Sequence, residues 1–206
     1  PLTVSYRTNR SEVWTRFIAA AERLGIPRND DFNGAQQEGV SYYQATVGKG
    51  RRSSAAVGYL RPTEKRPNLT VITHAMVRSI SFEQHRATGV RYEKDGQVWD
   101  VRAEREVIVC GGSINTPQLL MLSGIGPAAH LQEMGIAPLV DAPEVGKNLQ
   151  DHLQLRLTYR LDRPISFNDQ YHSLLGKVGM GLEYLLRRSG AIAYPTAQVG
   201  LFTKSQ

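Results

Sequence analysis

Apolar and polar positions alternate along this chain in recognisable rhythms. Val13, Trp14, Phe17, Ile18, Ala21 and Leu24 fall on one face of a helix. Asn9, with Glu12 three residues on, reads as a capping box at its start, and Gly25 and Pro27 stop it. Strand rhythm appears at 2–6, 40–47 and 198–203, and residues 69–80 are rich in β-branched side chains. Residues 29–39 read as a loop and Gly48-Lys49-Gly50 as a turn. Ser53 is placed to cap a short helix over 54–60, which Pro62 closes. Two strands, 90–93 and 98–103, flank Asp95-Gly96, a strong hairpin signal.

One stretch breaks the alternation. Val107, Ile108, Val109 and Cys110 form a continuous apolar run that ends at Gly111-Gly112. A helix follows, with Thr116 as N-cap, Pro117 at its first position, Leu119, Leu120 and Leu122 within it, and Gly124 at its end. A short apolar strand feeding a helix through a glycine turn is the βα unit of a buried parallel sheet. Such a turn aims amide groups and a helix N-terminus at one spot, which suits an anion. A βα corner without a ligand has the same pattern.

Beyond this unit a short helix begins at Pro127, turns Leu131 and Met134 inward and ends at Gly135; residues 136–141 are extended. Asn148, Asp151 and His152 crowd into the loop 143–152, either as ligand contacts or as a structural polar turn. Residues 153–161 alternate as a one-sided antiparallel strand does. Residues 174–186 form an amphipathic helix, weakened by Gly176, Gly179 and Gly181. The aromatic residues Phe167, Tyr171, Tyr184 and Tyr194 read as core.

Composition narrows the classes. Hydrophobic residues are 41% and charged residues 21%, as in ordinary globular proteins, and no apolar run has the length of a membrane span. The single cysteine excludes an internal disulfide framework and a cysteine-based zinc site. A formal net charge of +6 invites a nucleic-acid reading, but the basic residues are dispersed and no stacking aromatics are interleaved with them. The sequence therefore points away from nucleic acid. There is no G-x-G-x-x-G after a strand, no phosphate-binding P-loop, no G-x-S-x-G elbow and no H-E-x-x-H. The five histidines are scattered, and no spacing assigns a metal ligand or a catalytic base among them.

Residues 112–126, GSINTPQLLMLSGIG, resemble the second signature of the glucose–methanol–choline (GMC) family of flavin oxidoreductases. Asn33-Gly34, Gln37-Glu38-Gly39-Val40, Gly50-Arg51-Arg52-Ser53-Ser54-Ala55 and Tyr59-Leu60 are similar to the family's segment before its cofactor strands. So are Arg66-Pro67-Asn68-Leu69-Thr70-Val71 with Val77, and residues 145–152. The resemblance is good over 33–153 and looser at the ends, and is closest to bacterial choline and aliphatic or aryl alcohol dehydrogenases.

The resemblance implies an α/β fold: part of an FAD-binding domain with a parallel-sheet core over 1–155, then the start of an antiparallel-sheet substrate domain over 156–206. It implies FAD as cofactor and a small-molecule alcohol as substrate, with the electron acceptor open, no transmembrane segment, and an oligomer compatible with the pattern. The expected place is the cytoplasm, or peripheral to the inner membrane. Val77 would lie against the adenine through its backbone, and Cys110, Gly111 and Gly112 would turn close to the dinucleotide. Asn148, Asp151 and His152 would sit on the cofactor side of the cleft. The family's dinucleotide-binding βαβ and its catalytic histidine have no counterpart here, so no catalytic residue is assigned. The chain reads as the middle of a longer oxidoreductase, expected by itself to be inactive, to hold FAD weakly and to self-associate. Other readings are a relative that does not oxidise, of the hydroxynitrile-lyase kind, and a cofactor-free binding or scaffold module.

Overall fold

A computed structural model describes residues 1–6, 10–195 and 197–204. The chain is mixed α/β and forms two compact units: Pro1–Thr70 with Leu157–Gln206, and Val71–Arg156.

The first unit is built on helix α1 (Glu12–Arg23) packed on strand β1 (Gly39–Tyr42). Strand β9 (Val199–Phe202) pairs antiparallel with β1, Val40 opposite Leu201. Ile18, Ala21, Val40 and Tyr42 form the core, with Trp14, Ile26, Val199 and Leu201 packed around them. Val40 is 0% exposed, and burying a side chain of this size contributes roughly 1.5–3 kcal/mol. The Tyr42 hydroxyl stays satisfied by Thr15 Oγ1 at 2.9 Å and by donating to the Ser11 carbonyl at 3.2 Å. The pairing of β1 with β9 is what brings the two ends of the sequence into one unit.

The expected α1 helix is present, but Asn9, the proposed cap, lies outside the described residues; Ser11 occupies the N-cap. The 2–6 strand reduces to one bridge, Ser5 to Ala45. The 40–47 stretch divides into β1 and a separate strand β2 (Val47–Gly48), which pairs with β3 (Arg51–Arg52) across the Lys49-Gly50 turn. After it, Ser54 rather than Ser53 meets the helix start, accepting from the Val57 amide at 3.3 Å. A π-helical turn (Ala56–Leu60) then runs into helix α2 (Arg61–Thr63). Pro62 does not close the helix: it stands in the first turn of α2, which continues to Thr63.

In the second unit, β4 (Met76–Glu83), β5 (Arg86–Lys94) and β6 (Gln97–Arg102) form an antiparallel sheet. The β5–β6 turn is the hairpin the sequence announces: Lys94 pairs with Gln97, and Asp95 and Gly96 have φ of 52° and 76°. Helix α3 (Gly112–Leu122) leads to β7 (Ile125–Gly126), helix α4 (Ala128–Glu133) and β8 (Val140–Asp141). The β7–β8 ladder is parallel. In α4, Leu131 is buried as expected, but Met134 is 65% exposed because the helix ends at Glu133 and Met134 is only its C-cap.

Back in the first unit, Ser166 and Asp169 form a capping box at the start of helix α5 (Phe167–His172), an element absent from the sequence reading. Helix α6 (Leu174–Arg187) follows as expected. Gly176 is no weak point in it: a Cβ there would stand 2.1 Å from the Gln170 carbonyl oxygen, so the close α5–α6 corner needs glycine.

Two strand expectations are not met. Residues 107–110 and 153–161 have no strand partner among the described residues. Ile108 is 75% exposed, and Leu153, Leu155, Leu157 and Tyr159 are exposed too. A strand needs a ladder neighbour as well as an apolar pattern, and neither stretch has one among the described residues. Among the described residues no helix is long and apolar enough to cross a membrane.

Candidate functional site

The glycine turn before α3 lies in the second unit, and its helix begins earlier than the sequence suggests. Gly111 is the N-cap and Gly112 the first residue, so Thr116 and Pro117 are both internal. Proline at this depth removes only the bond to the Ser113 carbonyl, four residues back, and the helix continues through it. The start is set instead by Gly112, whose φ of +77° turns the chain from the 107–110 run into the helix. Nothing lies within 4 Å of the point where a Cβ of Gly112 would stand, so this face of the turn is open.

Ser123 anchors the other end of α3. Its Oγ donates to the Leu119 carbonyl at 2.6 Å and accepts the Ile80 amide of β4 at 2.8 Å. The Gly124 carbonyl accepts from the Leu139 and Val140 amides at 2.7 and 3.1 Å, joining the helix end to β8. The helix is thus fixed from its C-terminus while its N-terminus has no side-chain cap. An uncapped helix start presents unpaired amides and the positive end of the helix dipole.

A groove of about 500 Å³ runs along α3 and is lined by Ser113, Ile114, Pro117, Met121, Lys147 and Asn148, among others. None of its lining residues is acidic, and Lys147 adds a positive charge. Together with the helix start, this favours a polar or anionic group. Asn148 holds a left-handed backbone, φ 56°, which asparagine tolerates, and its Nδ2 donates to Glu144 Oε2 at 2.7 Å.

The structure therefore brings one predicted loop residue, Asn148, to the helix that follows Cys110, Gly111 and Gly112. It does not bring the others. Among the described residues Asp151 and His152 pair only with each other: the His152 amide donates to Asp151 Oδ1 at 2.7 Å, Nδ1 stands 3.6 Å from the same oxygen, and both side chains lie in solvent. Val77 lies on β4 opposite Tyr92. Cys110 is an exposed free thiol, not the buried residue its apolar neighbours suggest: Ile108 and Cys110 are exposed while Val107 and Val109 are half-buried. Among the described residues no group of three potential metal ligands converges. Ser123 and Lys147 were not singled out by sequence reasoning, although both lie inside the motifs quoted above.

Comparison with known proteins gives these motifs a family. A model described as GMC oxidoreductase matches residues 1–154. Mitochondrial choline dehydrogenase of Homo sapiens is 41% identical over 206 residues, covering 100% of this chain and 34% of the human protein. Oxygen-dependent choline dehydrogenase of Sinorhizobium medicae is 47% identical over 166 residues, 81% of this chain and 30% of that protein. Among solved structures, an FAD-dependent oxidoreductase from Chaetomium thermophilum superposes with a TM-score of 0.87 at 26% identity, covering 97% of this chain and 36% of that one. Pyridoxine 4-oxidase from Mesorbium loti gives a TM-score of 0.70 at 33% identity, covering 74% and 30%. The chain spans about a third of the length of the curated relatives it matches. On the strength of the family match and these identities, the chain belongs to the GMC oxidoreductase family.

Proposed function

We propose that the chain is the central part of an FAD-dependent oxidoreductase that oxidises an alcohol, either choline or an aliphatic or aryl alcohol. The observation that carries this reading is the 41% identity to a choline dehydrogenase along all 206 residues. The open, uncapped start of α3 fits the group: it offers amides to a polar or anionic edge with no side chain in the way. In this reading Cys110, Gly111 and Gly112 turn beside the dinucleotide, and Val77 meets the adenine through its backbone. Asn148, Asp151 and His152 lie on the cofactor side. The chemistry FAD supplies when bound is acceptance of the hydride that leaves the carbinol carbon. What these residues contribute is position: Ser123 fixes α3 against β4, and the helix then holds its N-terminal amides still.

The reading keeps residues 1–155 as part of the FAD-binding domain and 156–206 as the start of the substrate domain. The end of the family match at residue 154 supports that division. It also places the protein in the cytoplasm or peripheral to the inner membrane, which cell fractionation tests.

The decisive experiment uses the gene product that carries these residues. It should purify with a flavin absorption spectrum that bleaches anaerobically on addition of choline or benzyl alcohol. A colourless product that takes up no FAD, or a flavin that no primary alcohol bleaches, would overturn the reading. The 206-residue chain alone should show no alcohol-dependent dye reduction.

A further inference from the structure

We infer that the outer edge of β6 is a docking surface for a second copy of this chain, which pairs with it antiparallel about a two-fold axis at Val101 and joins the two β4–β6 sheets into one. The two edges of this sheet differ. β4 is irregular between Val77 and Ser79 and between Ser81 and Phe82, and its Ile80 amide is taken by Ser123 Oγ at 2.8 Å. β6 is regular along its whole register, holds no proline and has no outer neighbour among the described residues. The Ala103 amide bonds the Thr88 carbonyl at 2.8 Å, and in an antiparallel ladder every second residue turns its amide the other way. The amides of Val98, Asp100 and Arg102 therefore point away from β5, and no group among the described residues takes them. An edge left open in this way is a template for another strand.

The side chains of β6 fit a copy of themselves. Trp99 and Val101 share one face with Tyr92 and Val90, their partners on β5, and both are exposed. Asp100 and Arg102 lie on the other face, ion-paired with Arg91 and Glu83 at 3.0 Å.

These two charges select the register. A two-fold centred on Asp100 or on Arg102 would set that charge against itself, and like charges directly opposite destabilise a sheet. Centred on Trp99, it would set Asp100 against the apolar Val98. Centred on Val101, it sets Asp100 opposite Arg102 of the second copy on both sides of the axis, and each such pair exchanges its two backbone hydrogen bonds. Arg91 and Asp100, then Arg102 and Glu83 of the second copy, alternate in sign across the seam. On the opposite face Trp99 and Val101 of both copies close into one apolar strip. Such self-complementarity is what a two-fold interface requires.

The test uses the gene product that carries these residues, as Val101→Cys and Val98→Cys variants under mild oxidation. In this register the two Val101 positions face each other in a pair without hydrogen bonds, where Cα atoms stand about 4.5 Å apart, within disulfide reach. Val98 faces Glu104 instead. Val98 is the more exposed, 59% against 45%, so random collision favours it. Val101→Cys should nevertheless give a reducible dimer several-fold faster than Val98→Cys. In sedimentation, Arg102→Asp should weaken the dimer about tenfold, and the exchange Asp100→Arg with Arg102→Asp should restore it. All of these positions are exposed, so no substitution disturbs a core. A gene product that sediments as a monomer, Val98→Cys cross-linking as fast as Val101→Cys, an Arg102→Asp dimer of unchanged affinity, or an exchange variant no tighter than the single reversal would overturn the assignment.

Discussion

Gly112 separates two reasons for needing glycine. Its φ of +77° is costly for any residue with a Cβ, but there is ample space for one. Gly112→Ala should therefore cost about 1 kcal/mol through the backbone alone, with no clash added. Urea denaturation should show a lower midpoint at unchanged slope. Asp30 offers a pH-dependent counterpart in the other unit. Ser41 Oγ donates to its carboxylate at 2.8 Å, and the Arg28 guanidinium lies 3.2 Å away, which together hold the Asp30 carboxyl below the usual carboxylate range. The folded state thus favours the ionised form. That contribution is complete above the ordinary carboxylate pKa and is lost as pH falls through the lowered folded value. Ser41→Ala should move the Asp30 titration upward, read from its carboxyl ¹³C shift, and make acid unfolding of this unit less steep. An unchanged titration would refute the role of Ser41.

At the scale of elements, α5 and α6 show how packing overrides propensity. Gly176 looked like a helix weakener because glycine has a poor helix propensity. In the fold it is required, since a Cβ would overlap the Gln170 carbonyl at 2.1 Å. Gly176→Ala should cost about 2 kcal/mol, as overpacking does, despite raising intrinsic helicity. Circular dichroism against temperature would show it, and a stabilised variant would disprove the corner. Elements whose determinants are local were legible in the sequence: α1 by its apolar face, the β5–β6 hairpin by Asp95-Gly96, α6 by its period. Elements that depend on a distant partner were not. The 107–110 and 153–161 runs have the composition of strands, but a ladder is a property of two segments. Helix α5 was missed because its capping box, Ser166 with Asp169, precedes only six helical residues, too few for a period to show.

For the molecule as a whole, the family was readable from contiguous motifs, whereas the site was readable only in part. Gly111, Gly112 and Asn148 are close to or line one groove because α3 and the following loop are neighbours in the chain. Val77, Asp151 and His152 are not gathered with them by any hydrogen bond or ion pair among the described residues. The free edge of β6 escaped notice for a related reason: Asp95-Gly96 announces the hairpin, and only the sheet order leaves β6 without an outer neighbour among the described residues. Each unit carries large exposed apolar side chains, among them Val98, Trp99 and Ile108 in one and Leu175, Leu185 and Leu186 in the other. Surfaces of this kind associate in water. Light scattering should report species heavier than the 22.9 kDa chain, and a clean monomer would count against it.

The bare 107–110 run has one more consequence. Proteases bind their substrates as extended strands, pairing with the backbone before cutting it. Val107, Ile108 and Val109 have no ladder partner among the described residues, and Ile108 is 75% exposed, so this segment can be drawn into such a pairing without breaking a ladder first. Limited digestion with elastase, which prefers small aliphatic residues, should therefore nick the chain here earlier than in the β4–β6 sheet. The fragments would part the hairpin from the α3 segment at the family signature itself, and mass spectrometry of the first products would locate the cut.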